Sequence, residues 1–77
     1  MNTYPITEQD EKRMNNNFSY HAPKEGQQEK YTQIREDAKG LSAVLVNLCP
    51  PSRELSLALT SLEETVMWAN AAIARNE

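Results

Sequence analysis

Apolar positions recur along the second half of this chain at alternating steps of three and four residues. Tyr31, Ile34, Ala38, Leu41, Leu45 and Leu48 make one such row, and Leu55, Leu59, Leu62, Val66, Ala69 and Ile73 make another. That spacing keeps side chains on one face of an α-helix. The pattern predicts a helix from about Gln27 to Leu48 and a second from Arg53 to about Arg75. Between them stands Cys49-Pro50-Pro51-Ser52. Two prolines stop the first helix, and Ser52 can cap the next. Two helices of similar length joined by so short a turn make an antiparallel hairpin. Gly40 weakens the first of them by about 1 kcal/mol relative to Ala, unless close packing uses its missing side chain.

The first 24 residues are polar by comparison, with Pro5, Pro23 and the run Asn15-Asn16-Asn17. A short helix is expected from Thr7 to about Met14, with Thr7 as its N-cap and Glu8 and Asp10 favouring its first turn. An extended arm, FSYHAP, follows. The fold class is therefore all-α: a two-helix hairpin carrying a short N-terminal helix and arm.

The hairpin has more apolar surface than one seam accounts for. Leu57, Ser61, Glu64, Trp68, Ala71 and Arg75 form a second row on the last helix, offset from the first, and Val44 and Val46 lie off the seam of its partner. A chain of 77 residues is near the size at which one core is marginal. Hairpins that pack on other hairpins would cover the second row, and Ala69, Ala71, Ala72 and Ala74 would let helices approach closely. The alternative is that the N-terminal arm folds over that row. Core size favours the oligomer.

Charge excludes some partners. The net charge is −3, and no segment is basic enough to track a phosphate polymer, so DNA and RNA are not expected ligands. No run approaches the roughly 18 apolar residues of a membrane span. The opening residues do not read as a signal peptide. Lone Cys49 has no internal disulfide partner, which suits a reducing cytosol. One His and one Cys without ligand spacing give no expected metal or cofactor.

The densest chemistry lies in FSYHAPK. Phe18, Tyr20 and His21 place three flat rings within four positions, followed by Lys24. In an extended segment Phe18 and Tyr20 point to the same side. Rings can stack on a nucleobase, and a cation beside them can pair with phosphate. On the residues alone, an aromatic arm stapled onto the hairpin is the preferred reading. Arg53 opens the last helix, where free N–H groups attract anions. An exposed Arg53, or one paired with Glu54 or Glu77, is the preferred reading on the residues alone. Arg75 suits a helix C-terminus through the dipole, and in an oligomer it could reach a neighbour's pocket. Thr60 and Asn70 are polar positions on a largely apolar helix, a pattern more common in helix–helix hydrogen bonding than in ligand contact. His21 has no Ser or Cys partner nearby, and adjacent Glu63 and Glu64 diverge by about 100° on a helix, so catalysis has little support.

The segment SRELSLALTSLEETVMWANAAIARNE, preceded by FSYHAP and LCPPS, resembles the helical-hairpin domain of phage nucleotide-sponge proteins, the anti-CBASS and anti-Thoeris sequestering proteins. The resemblance covers residues 18–77 and leaves 1–17 as a separate polar segment. It implies a homohexamer in the cytoplasm of an infected bacterium. It implies binding, without cleavage, of cyclic nucleotide immune signals: cyclic di- and trinucleotides of CBASS, or alternatively cyclic ADP-ribose variants of Thoeris. Its pockets would lie between protomers and use an aromatic stack, cations and hydroxyls. By motif position, the implied ligand-binding residues are Phe18, Tyr20, His21, Lys24, Arg53, Thr60, Asn70 and Arg75. Leu55 and Ser61 stand where the resemblance implies lysines. A structural hairpin that buries a partner helix, with no small-molecule ligand, is the reading from another class.

Overall fold

A computed structural model describes residues 4–77. It contains three helices and, among these residues, no strand: α1 (Glu8–Asn17), α2 (Gln27–Leu48) and α3 (Arg53–Asn76). Each boundary has a local cause. Thr7 caps α1 reciprocally: its Oγ1 accepts from the Asp10 amide at 3.0 Å, while Asp10 Oδ2 accepts from the Thr7 amide at 3.1 Å. That is the capping-box arrangement, with Asp in the place of the usual Glu. α1 runs three residues past the expected end at Met14. Its last turn gains a tertiary anchor there, because Asn16 Nδ2 donates to the Arg75 carbonyl at 3.2 Å.

α2 ends where the sequence requires. Cys49 is extended (φ −105°, ψ 140°), as a residue before proline must be. Ser52 Oγ then accepts from the Leu55 amide at 3.1 Å and starts α3. Gly26 enters α2 with φ +84°, a left-handed conformation that only glycine adopts without strain.

α2 and α3 pack as the expected hairpin, but the seam on α2 drifts from the apolar row. The half-buried positions are Tyr31, Ile34, Ala38, Ser42, Leu45 and Cys49, with Leu41 and Leu48 left exposed. This row advances eighteen residues in five steps, 3.6 per step, the period of a straight helix. The apolar row advances only seventeen, so its later members rotate off the interface. Leu48 is consequently 75% exposed. On α3 the row Leu55, Leu59, Leu62, Val66, Ala69 and Ile73 already has the 3.6 period, and all six are half-buried.

The molecule measures 50 × 38 × 13 Å. Its thin dimension is close to one helix with side chains, about 10–12 Å. The three helices therefore form one layer, whereas a domain core needs at least two. Accordingly, no apolar side chain among the described residues is fully buried, and the only buried residue is Gln27. The accessible surface is 6697 Å², against about 4,800 Å² for a compact monomer of this mass. The radius of gyration is 17.4 Å, against about 11.5 Å for a compact domain of this length. The arm reaches only the end of the second row of α3, at Ala71 and Arg75, and leaves the rest of it open. Leu57 and Met67 remain exposed, and Trp68 is 59% exposed, with only an indole N–H to Glu64 Oε1 contact at 3.3 Å. Gly40 faces open space within the chain.

Candidate functional site

A cleft of about 520 Å³ opens where the arm, the start of α2 and the end of α3 converge. Helical spacing builds two of its walls. Tyr31 and Arg35 are one turn apart on α2, and so are Asn70 and Ala74, and Ala71 and Arg75, on α3. The alanines keep the floor low, so the polar side chains around them stay reachable. The third wall is the segment after α1, which brings Tyr20 and His21.

Two hydrogen bonds seat that wall. The His21 ring meets the Asn16 carbonyl through Nε2 at 2.7 Å. Asn16 in turn donates to the Arg75 carbonyl. The end of α1, the His21 ring and the last turn of α3 are thus one connected unit. Tyr20 lines the same cleft while keeping 87% of its surface exposed, which leaves a ring face free to stack.

The electrostatics of the cleft are one-sided. The ion pairs among the described residues join Lys12 to Glu8, Arg13 to Asp10 and Lys30 to Glu77. Neither Arg35 nor Arg75 takes part in one. Arg35 makes only a long hydrogen bond, 3.4 Å, from Nη2 to Thr32 Oγ1. Two guanidiniums at one cleft, without a carboxylate partner there, suit an anion that can accept forked hydrogen bonds. Asn70 adds a polar acceptor: its Oδ1 is buried and has no hydrogen-bond partner in the chain. A buried unpaired acceptor costs about 1–3 kcal/mol, which a turn of the Asn70 side chain toward a donor in the cleft would recover. A flat, anionic molecule bearing N–H or O–H donors answers all three features.

The structure divides the eight sequence candidates. Tyr20, His21, Asn70 and Arg75 meet at the cleft. Phe18 does not join them. It caps the end of α1 with turn geometry (φ −114°, ψ 17°), so Phe18 is not part of the extended segment in which it was to share a side with Tyr20. Phe18 is instead 87% exposed. Lys24 is engaged elsewhere: its Nζ donates to the Glu77 main-chain oxygen. Arg53 lies at the opposite end of α3, about 33 Å along the helix from Arg75 at 1.5 Å per residue. The considered pairing of Arg53 with Glu77 is therefore excluded by distance, and Glu77 pairs with Lys30. Thr60 is exposed midway along α3. Asn70, which reads from sequence as a helix–helix hydrogen-bonder, has no such bond through its oxygen.

Among the cleft residues that escape the sequence reading, one bears a ring and one a charge. Tyr31 counts as a seam residue there, yet it also forms a cleft wall. Arg35 follows the apolar Ile34 and looks like an ordinary solvated charge. The one available signal was its place one turn after Tyr31, which puts a ring and a guanidinium on the same face.

A second depression, of about 510 Å³, lies along the hairpin between Val46, Leu59, Leu62 and Val66, rimmed by Arg35, Lys39 and Glu63. It is apolar and continues the open face of the layer. Among the described residues, no group of His, Cys, Asp and Glu is arranged to hold a metal ion, and no helix is long and apolar enough to cross a membrane.

No curated protein and no solved structure matches the chain. A family model does: the Acb2/Tad1 hairpin domain matches residues 10–74, from the first helix almost to the end of the third. With its three-helix layer, its hairpin and its cationic, ring-lined cleft, the chain belongs to the Acb2/Tad1 hairpin-domain family, the family of phage anti-CBASS and anti-Thoeris nucleotide sponges.

Proposed function

We propose that this chain sequesters cyclic nucleotide signals of bacterial immunity in the cytoplasm of the infected host, binding them without cleaving them. The carrying observation is the cleft itself: Tyr20, Tyr31 and His21 offer ring faces, Arg35 and Arg75 offer cations without a carboxylate partner, and Asn70 Oδ1 is a buried acceptor without a donor. A cyclic dinucleotide supplies bases to stack, phosphates to pair and donors to give. Cyclic oligonucleotides of CBASS are the preferred ligands on this reading, and cyclic ADP-ribose variants of Thoeris are the alternative.

The working form is an assembly of copies, a hexamer on the reading adopted here. The support is physical. A single layer with an open apolar row carries about 1,900 Å² more surface than a compact monomer of its mass. Stacking layers covers that row and deepens the cleft. The same exposed row also favours the second reading, a structural hairpin with no small-molecule ligand.

Calorimetric titration separates the two. Cyclic di-AMP, cyclic tri-AMP, cyclic ADP-ribose and a linear dinucleotide are each titrated into wild-type protein and into Asn70→Leu. Saturable binding of a cyclic species, weakened in the variant, supports sequestration. A melting curve of Asn70→Leu that matches wild type assigns such a loss to the cleft and not to unfolding. No heat with any ligand leaves the structural hairpin.

A further inference from the structure

Gln27 is the one buried residue among those described, only 3% exposed, and it is polar. Its carboxamide is used at both ends. Oε1 accepts from the Lys24 amide at 2.9 Å, and Nε2 donates to Glu77 Oε1 at 3.1 Å. The Gln27 amide also donates back to the Lys24 carbonyl at 3.1 Å, closing the tight turn Lys24-Glu25-Gly26-Gln27, in which Gly26 holds its positive φ. Glu77 is gripped from two further sides: Lys30 Nζ pairs with its carboxylate, and Lys24 Nζ reaches its main-chain oxygen. Three separate stretches of chain meet there: the end of the arm, the first turn of α2 and the residue that caps α3.

We propose that Gln27 and Glu77 are positioning residues, a hydrogen-bonded relay that clamps the end of the arm to the end of α3 and so holds Tyr20 and His21 on the cleft. The effect on ligand rests on the binding reading above; the clamp itself does not. The arm has little else to hold it. Its aromatic residues Phe18 and Tyr20 are almost fully exposed, and its other side-chain anchors, Ser19 Oγ to the Asn15 carbonyl and the His21–Asn16 contact, both run back to the end of α1. A segment fixed at both ends by buried or half-buried polar contacts is ordered without an apolar core. The Glu77 carboxyl is held below the usual carboxylate range, first by the Lys30 hydrogen bond and then by the one from Gln27, as a group in this relay should be. The charged groups facing it are Lys30 and Lys24.

The relay has a direction that can be reversed. Gln27→Glu sets two carboxylates against each other. Adding Glu77→Gln restores a donor on the other side, since the new amide donates to the new carboxylate, which still accepts from the Lys24 amide. The test measures amide hydrogen exchange across the full chain, and affinity for cyclic di-AMP, in wild type, Gln27→Ala, Gln27→Glu, Glu77→Ala and the double swap. Exchange at the Lys24 and Gln27 amides, which are bonded within this turn, should rise about tenfold or more in the three single variants while the centres of α2 and α3 keep their protection. The swap should return both exchange and affinity to near wild type. Glu77→Ala changes a residue outside the helices, so it remains informative if a Gln27 variant fails to fold. Unchanged exchange at Lys24 and Gln27 in Glu77→Ala, or a swap no better protected than Gln27→Glu, overturns the proposal. Altered exchange at those amides with rescue, in a protein that binds no nucleotide even as wild type, upholds the clamp and refutes the binding reading instead.

Discussion

Trp68→Ala removes the largest side chain of the open row on α3. Trp68 is 59% exposed, and a fully covered Trp buries up to about 250 Å². About 150 Å² of its surface is thus left in water by the single chain. Covering that area against a second copy contributes about 3.5 kcal/mol at about 25 cal/mol per Å². Its loss should weaken association between neighbouring copies by two to three powers of ten. The indole N–H bond to Glu64 adds little, because both groups are exposed. Light scattering behind size exclusion, run from nanomolar to high micromolar protein, reads the effect directly. Wild type should hold a mass several times 8.8 kDa across that range, and the variant should fall to lower mass at a concentration at least a hundredfold higher. A wild type that is a folded monomer throughout rules out burial of this row between copies, and so does a variant whose mass tracks wild type at every concentration.

Other outcomes follow from the same geometry. Arg35→Ala and Arg75→Ala should each lower affinity for one and the same nucleotide by about 1.5–3 kcal/mol, the range for charge-assisted hydrogen bonds, while Arg53→Ala, at the far end of α3, should retain the ligand that those two lose; titration of the three variants checks the grouping. Gly40→Ala should raise folding stability by about 0.5–1 kcal/mol, because Gly40 is helical and an added methyl meets nothing in the chain; a lower melting temperature together with a smaller assembly would place Gly40 in a contact between copies. Glu77 titrates below its ordinary value of 4.5, held down by Lys30 and then Gln27, so its ionised form favours the folded state. That contribution is fully present above pH 4.5 and is lost as pH falls through the lowered folded value. The melting-temperature gap between wild type and Glu77→Gln should therefore be constant near neutrality and close in acid, and a gap that widens in acid contradicts the assignment.

The hairpin was legible because its signals are local. Pro50-Pro51 and Ser52 act within four residues, and the row from Leu55 to Ile73 carries the helical period unaided. The α2 seam was only partly legible. Leu41 and Leu48 are apolar, whereas Ser42 and Cys49 sit inward, and a straight helix, unlike a residue pattern, cannot slip to a shorter period. Half of the candidate set converged for a related reason. Tyr20, His21, Asn70 and Arg75 come together because α1 is tied to the end of α3 through Asn16, a contact across 59 residues that no spacing rule reports. Lys24 stands apart from the cleft for the same reason, since its partner Glu77 lies 53 residues away. Phe18 stands apart through a local event: α1 runs on through three asparagines, and Phe18 is its cap rather than part of the extended arm.

The most direct test of sequestration is a depletion experiment. Purified protein is mixed with a limiting amount of cyclic di-AMP, and in parallel with cyclic tri-AMP, and passed through a membrane that retains the assembly. The retained protein is then heated, and the released nucleotide is identified by mass. Sequestration predicts stoichiometric loss of at least one cyclic nucleotide from the filtrate and its full recovery, with the ring intact, after denaturation. Free nucleotide left in the filtrate at every protein excess, or linear product accumulating with incubation time, would contradict it.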